Sequence, residues 1–240
     1  MKRTERHHLK ENELQTLALQ ARELFDERRR EANIVGACVA IIIVFGGGYF
    51  LWREHVQAQA SALLAQAMAV QEARVSTPGT AAIPATPGAY PTERARLEAA
   101  VAKFKAAADA YPSSDSGVFA RYQEAVGQVA LGNPTAAVTA YQEVIKRTDG
   151  IFGQMARLGL AEALARAGQY DQAINAFKEM AQRKDGPLPI DGILMQLGRV
   201  YRDAGKRADA QQTFNRLVDE YPESPFMADA KRELETLNKT

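Results

Sequence analysis

Histidine and cysteine are scarce in this chain of 240 residues, which contains three histidines and one cysteine. They are His7, His8, Cys38 and His55, so none lies beyond residue 55. The rest of the chain therefore has no thiol nucleophile, no disulfide, no Ser-His-Asp triad and no His/Cys metal cluster. We expect a protein that is not an enzyme, with no catalytic residue, no metal and no cofactor.

Neither sign of charge is in clear excess, because the chain contains 30 basic and 29 acidic residues. Beyond Thr92 the two signs balance, whereas a nucleic-acid-binding domain normally shows a basic surplus on its folded part. We therefore expect no nucleic-acid partner. Nothing in the sequence indicates a small-molecule substrate.

One long apolar run is present at residues 34–52, IVGACVAIIIVFGGGYFLW, and it carries no charge. A helix needs about 17–25 such residues to cross the hydrocarbon core of a bilayer. Gly46, Gly47 and Gly48 are tolerated better in lipid than in a soluble helix, and Tyr49 and Trp52 suit the membrane interface. The run predicts a single transmembrane helix.

The charges on either side of this helix predict its orientation. The arginines that precede it closely are Arg22, Arg28, Arg29 and Arg30. Only Arg53 and Arg74 follow in the comparable stretch, so residues 1–33 are expected in the cytoplasm and the C-terminal domain outside it. The alternative is a cleaved signal peptide, since residues 58–60 resemble a signal-peptidase site that would leave Ser61 as the mature N-terminus.

Two further features of this region admit two interpretations each. Gly36, Ala40 and Gly48 share one helix face, where small side chains let another helix approach, but small residues are common in membrane helices. Residues 11–30 show apolar positions at helical spacing and predict an amphipathic helix in the cytoplasmic segment. That helix could lie on the membrane surface or a partner, or it could be a solvated extension of the span.

A proline-rich segment at residues 76–91 separates the membrane region from the rest of the chain. Pro78, Pro84, Pro87 and Pro91 remove backbone donors and stop any helix, and alanine and glycine fill much of the remainder. We expect a Pro/Ala/Gly-rich loop here.

A repeat of 36 to 37 residues then decides the predicted fold. Each copy has a glycine, an alanine five residues later and an aromatic residue four after that. The three copies are Gly132, Ala137 and Tyr141; Gly168, Ala173 and Phe177; and Gly205, Ala210 and Phe214. The glycine would end one helix, the alanine would let two helices pack closely, and the aromatic residue would fill the space between units.

The fold class that follows is all-α, with a transmembrane helix followed by a tetratricopeptide-repeat α-solenoid over residues 92–223. Residues 224–240 are expected to form a capping helix. A partial copy at Ala100, Phe104, Tyr111 and Pro112 lacks a first helix. We expect residues 53–75, a membrane-proximal helix with an apolar face, to supply it.

Such a solenoid presents a concave groove that is lined by the first helix of each unit. Aromatic and methionine side chains could anchor a partner there, and arginines could pair with its carboxylates. The alternative is that the apolar members belong to the core and that Glu162 and Arg166 form an ordinary i,i+4 pair. The predicted partner-binding residues are Phe119, Tyr122, Met155, Glu162, Arg166, Arg199 and Arg202.

The layout resembles the YfgM-like family. The matching features are the short N-terminal segment, the glycine-rich span that ends in Tyr49-Phe-Leu-Trp52-Arg53, the following His55-Val-Gln57 and the repeats. The resemblance implies an ancillary subunit of the SecYEG translocon in the bacterial inner membrane. Its repeat domain would be periplasmic, and its partners would be the Sec translocon and a periplasmic chaperone such as PpiD.

Two short segments resemble other envelope repeat proteins, the division coordinator CpoB and the assembly lipoprotein BamD. These are residues 110–115, AYPSSD, and residues 220–225, EYPESP. This likeness implies the alternative function, a scaffold for envelope assembly or cell division.

Overall fold

The computed structural model describes residues 29–76, 89–183 and 188–239. Within these ranges the regular structure is helical, which confirms the all-α prediction. The amphipathic helix expected at residues 11–30 lies almost entirely outside the described residues, as does most of the Pro/Ala/Gly-rich segment.

Nine helices occur in the described parts of the chain. They are α1 (Arg29–Gln71), α2 (Glu93–Ala110), α3 (Asp115–Ala130), α4 (Pro134–Arg147), α5 (Ile151–Arg166), α6 (Tyr170–Gln182), α7 (Ile190–Asp203), α8 (Arg207–Glu220) and α9 (Met227–Lys239). The chain divides after His55 into two compact units, Met1–His55 and Val56–Thr240.

In the first unit, α1 exposes an apolar surface. Ile42, Phe45, Leu51 and Trp52 are each more than 60% exposed. Water would penalise this exposure by about 25 cal/mol for every Å² of apolar area, whereas lipid would not. The helix is long and apolar enough to cross a membrane.

In the second unit, each helix from α2 to α9 packs against the next one along the chain. This nearest-neighbour packing is what a solenoid of helical repeats requires. The C-terminal part of α1 belongs to this unit. Its Ala67 is fully buried in a cluster with Phe104 and three alanines of α2, and with Ala120 of α3. That residues 53–75 supply the first helix of a repeat stays a prediction.

The three repeat glycines have the left-handed backbone that the sequence predicts. Gly132, Gly168 and Gly205 have φ angles of 83°, 75° and 72°. At each glycine the next residue's N–H donates to a carbonyl five residues back, for example Lys206 to Tyr201 at 2.8 Å. This pattern is the Schellman motif, which ends a helix and turns the chain.

The other repeat positions form the core. Ala137, Ala173, Ala210, Phe177 and Phe214 are fully buried. The remaining aromatic residue of the pattern, Tyr141, is 4% exposed. Because alanine removes bulk where two helices meet, the aromatic ring can fill the space that remains.

The two ends of the segment 77–88, which lies outside the described residues, are joined by backbone hydrogen bonds. The Ser76 N–H donates to the Tyr90 carbonyl at 2.9 Å, and the Tyr90 N–H donates to the Arg74 carbonyl at 2.9 Å. The Arg96 guanidinium also donates to the Ala73 carbonyl at 3.1 Å. Residues 73–76 and residue 90 therefore lie side by side next to the start of α2.

Candidate functional site

The second unit contains a cleft of about 350 Å³ between α3, α4 and α5, which we call the central cleft. Val126 and Met155 line it and remain 39% and 38% exposed, which leaves two large apolar side chains open to a ligand. The lining residues are Tyr122, Val126, Val129, Tyr141, Met155, Leu158, Gly159, Glu162, Arg166 and Leu188. Four residues predicted from the sequence come together here, namely Tyr122, Met155, Glu162 and Arg166.

A chain of aromatic contacts runs beside and into the central cleft. The ring centroids of Phe119 and Phe152 are 5.1 Å apart, and those of Phe152 and Tyr122 are 6.1 Å apart. Tyr122 lies 5.9 Å from Tyr141, again in a tilted arrangement. Tilted pairs at these distances are favourable and hold the rings in place. Phe119 thus supports the cleft through Phe152 and is not part of its lining.

Tyr141 comes from α4 and reaches the cleft because Gly159 on α5 has no side chain. A Cβ atom at position 159 would lie 2.4 Å from a ring carbon of Tyr141 and 2.7 Å from its hydroxyl oxygen. The repeat pattern predicts Tyr141 only in the packing between units, and Gly159 is not one of its positions. The available signal was the pair Leu158-Gly159, which matches Leu197-Gly198 in the next first helix.

The two tyrosine hydroxyls of the cleft have no hydrogen-bond partner among the described residues. Burial, and next the charge of Glu162, raises the pKa of Tyr122. Burial raises the pKa of Tyr141 to about 12, with Tyr122 and Glu162 contributing further. Both hydroxyls are therefore neutral near pH 7, and each can donate and accept a hydrogen bond.

The charged groups of the central cleft are only weakly paired. Glu162 and Arg166 approach to 4.0 Å across one helical turn, and their side chains are 34% and 57% exposed. A contact of that length between partly exposed groups contributes little to stability. Both charges are therefore available to a ligand.

A second cleft of about 270 Å³, which we call the flanking cleft, lies between α2 and α3 and reaches the end of α1. Leu97, Val101 and Phe104 give it an apolar lining, and Val126 of α3 lines both clefts. Because the two clefts share this side chain, they adjoin across α3. We refer to them together as the groove.

Arg199 and Arg202 are not in the groove. The Arg202 guanidinium donates to both carboxylate oxygens of Glu233 on α9, at 2.7 and 2.6 Å. Arg199 lies 3.6 Å from Glu233 and 3.7 Å from Asp229. The structure therefore uses these arginines to hold the C-terminal helix. The prediction that they bind a partner stays a prediction.

A cluster of ion pairs around the buried side chain of Arg121 joins α2, α3 and α4. Arg121 is 7% exposed and contacts Glu124 at 2.6 Å, Glu143 at 3.0 Å and Asp109. Burial raises the pKa of Glu124, and Arg121 partly offsets this. Hydrogen bonds from Lys105 and then Arg121 lower the pKa of Asp109. The sequence shows Arg121 and Glu124 only as an i,i+3 pair, a spacing that is usually solvent-exposed.

The chemistry that the groove offers is binding. Among the described residues, no three His, Cys, Asp or Glu side chains are grouped so as to hold a metal ion. Apolar walls, two neutral hydroxyls, a carboxylate and a guanidinium can accommodate apolar side chains and polar groups of a polypeptide.

Comparisons with known proteins agree with this architecture. The model of the tetratricopeptide repeat-like domain family matches residues 28–231. Two crystal structures of nearly identical TPR-like repeats from a putative kinesin light chain of Podosopora anserina, one of them a point variant, are similar with a TM-score of 0.56. Each is 14% identical and covers 76% of this chain, which in turn covers 86% and 87% of theirs. At that identity the likeness shows the fold alone. No curated protein sequence matches the chain.

Proposed function

The chain belongs to the tetratricopeptide repeat-like domain family, and on this premise we propose that it is a membrane-anchored scaffold whose groove binds a segment of another polypeptide. The repeat fold of this family is typically a non-catalytic scaffold for protein interaction. The observation that carries the proposal is the central cleft. There, exposed Val126 and Met155 lie beside the hydroxyls of Tyr122 and Tyr141, which have no partner among the described residues.

A polypeptide suits the groove better than a small molecule does. The two clefts adjoin across α3, and together they are lined from Gln71 at the end of α1 to Leu188 before α7. Both clefts are open and mainly apolar, and neither is a deep enclosed cavity. Partly exposed apolar anchors with polar neighbours are typical of surfaces that bind extended or helical segments.

The anchor in this proposal is the apolar part of α1. Its large side chains face outward, and the segment is long and apolar enough to span a membrane. Three consecutive arginines, Arg28 to Arg30, precede it, and Arg53 alone follows closely. The positive-inside rule then supports a cytoplasmic N-terminus, with the repeat unit on the other side of a bacterial inner membrane.

The partners that we propose are the Sec translocon and a periplasmic chaperone such as PpiD. The support is the resemblance of residues 49–57 and of the overall layout to the YfgM-like family. In this role the chain would be an ancillary translocon subunit, and Gly36, Ala40 and Gly48 would let a neighbouring membrane helix approach.

A scaffold for envelope assembly or division is the second candidate. Tyr111 and Tyr221 end α2 and α8 with nearly the same backbone, φ −133° and ψ 58° against φ −132° and ψ 62°. Pro112 and Pro222 follow them. These are the two segments that resemble CpoB and BamD, and that resemblance is the support for this candidate.

Co-purification from solubilised membranes tests the proposal and separates the two candidates. We expect the full chain to recover the Sec channel or the chaperone, and the Val126→Asp/Met155→Asp variant to lose them. Glu179→Arg, at an exposed position on α6, is the matched charge control and should recover them normally. Loss of only division or assembly proteins would favour the second candidate. Equal recovery by all three forms would contradict binding in the groove.

A further inference from the structure

The hydroxyl of Tyr141 is an unusual feature of the central cleft. The residue is 4% exposed, yet its hydroxyl has no hydrogen-bond partner among the described residues. Gly159 opens the path that brings this hydroxyl to the cleft. The hydroxyl oxygen is not among the fully buried atoms without a partner in the described residues, so it can be reached from the cleft and can hydrogen-bond to a ligand atom there.

Two opposite charges act on this hydroxyl, and that of Glu162 acts more strongly than that of Arg166. Glu162 acts electrostatically on both Tyr122 and Tyr141, and it is among the causes that raise their pKa values. Its side chain is less exposed than that of Arg166, and their mutual contact is 4.0 Å long.

The walls of the cleft match a long aliphatic stem. Met155, Leu158, Val126 and Val129 provide apolar surface beside the polar end. Lysine and arginine combine such a stem with a charged head that donates hydrogen bonds. Two aromatic rings next to a carboxylate also favour a cation.

We infer that Tyr122, Tyr141 and Glu162 form a pocket that selects a lysine or arginine side chain on the bound polypeptide. The head group donates to the Glu162 carboxylate and to the hydroxyl oxygens, while the stem packs on Met155 and Leu158. An acidic side chain would be repelled by Glu162, and an apolar one would leave the hydroxyls without partners. The inference rests on the proposed binding of a polypeptide in the groove.

Peptide binding to the full chain in nanodiscs tests the pocket. The probes are fluorescein-labelled nonapeptides of alanine and leucine with one central residue, which is lysine, arginine, glutamine, norleucine or glutamate. Anisotropy should show the lysine and arginine peptides binding about tenfold more tightly than the others, as charge-assisted hydrogen bonds would give. Glu162→Gln should abolish this preference, so that the lysine and arginine peptides bind no more tightly than the glutamine peptide. Arg166→Gln should keep the preference.

Several results would overturn the inference. If the glutamate peptide binds best and Arg166→Gln abolishes its advantage, the cleft selects acidic segments. If all five peptides bind equally, the groove binds polypeptides but has no pocket that selects a basic side chain. The proposed function then survives. If no peptide binds, the inferred pocket for a lysine or arginine side chain is contradicted. The co-purification experiment with Val126→Asp/Met155→Asp then judges the proposed function independently.

Discussion

The ring of Tyr141 on α4 lies against Gly159 on α5, where an added Cβ would stand 2.4 Å from a ring carbon. Because Gly159 has no side chain, the Tyr141 hydroxyl can also reach the central cleft. One close approach between a second helix and the following first helix therefore contributes both to the packing of the repeats and to the lining of the central cleft. Gly198 on α7 and Phe214 on α8 come equally close, at 2.4 Å, but there the glycine is on the first helix and the aromatic residue, which has no hydroxyl, is on the second helix that follows it.

Gly159→Ala should destabilise the fold even though alanine is the better helix former. Helix propensity favours alanine by about 1 kcal/mol, but overpacking a well-filled core costs about 1–3 kcal/mol. The clash falls on a buried ring, so we expect a net loss of about 1 kcal/mol in the free energy of unfolding. Denaturant unfolding of the full chain in detergent, followed by circular dichroism, measures it.

The control for this prediction is a double-mutant cycle. In a Tyr141→Leu background the ring is absent, so Gly159→Ala should become neutral or stabilising. An equal loss in both backgrounds would show that the glycine is needed for a reason other than contact with the ring.

Arg121→Met should cost about 3–5 kcal/mol, because it leaves Glu124 buried without its partner. Arg121→Met/Glu124→Leu should recover most of that loss, since no buried charge then remains. Unfolding of the same detergent-solubilised chain is the measurement. Arg94→Met removes an exposed pair with Glu98 and should change stability by less than about 0.5 kcal/mol. A double variant as unstable as Arg121→Met would refute the role of the buried carboxylate.

Acid should weaken the fold through Asp109. Its pKa lies below the ordinary 3.8 because Lys105 and Arg121 donate to it. The stability that it contributes is therefore present above its unfolded pKa and is lost as the pH falls through its folded pKa. Asp109→Asn should show a smaller loss of stability below about pH 4 in unfolding curves.

Glu124 should act with the opposite sign. Burial raises its pKa above the ordinary 4.5, so the folded chain takes up its proton before the unfolded chain does. Its unfavourable charge is present above the folded pKa and is relieved as the pH falls from there toward 4.5. Glu124→Gln should remove this gain while leaving the Asp109 contribution. An unchanged profile in that variant would contradict the assignment.

Glu233→Ala should loosen α9 and leave the groove unaffected. Arg202 loses a two-point ion pair, and Arg199 loses one of its two contacts, so we expect a stability loss of about 1 kcal/mol. Hydrogen exchange should rise in α9. Met155→Asp, the matched groove variant, should reduce peptide binding without changing exchange in α9. Weaker peptide binding by Glu233→Ala would instead indicate that Arg199 and Arg202 contribute to peptide binding.

The periodic part of this fold could be predicted from the sequence because its causes are local. The glycine at the end of each first helix needs a left-handed backbone, and Gly132, Gly168 and Gly205 all have it. Alanine and the aromatic residue follow at fixed spacing, so the core positions follow from the same pattern. Tyr122, Met155, Glu162 and Arg166 could be placed together because the first helices of neighbouring units repeat in register.

The remaining features depend on contacts between distant residues. That Tyr141 enters the cleft depends on the absence of a side chain at Gly159, eighteen positions away. Arg199 and Arg202 have the spacing of groove residues, but the acidic face of α9 neutralises them. No helical pattern within α7 contains that information, since the acidic partners are about thirty residues later in the chain.

Site-specific photocrosslinking in intact membranes can detect a partner that is bound in the groove. A benzoylphenylalanine probe would replace Met155 in the central cleft, and a matched probe would replace Glu179 on α6. We expect adducts with the Sec channel or a periplasmic chaperone from position 155, and we expect them to be absent from position 179 and diminished by Val126→Asp. Identical adducts from both positions, or none from position 155, would contradict binding in the groove.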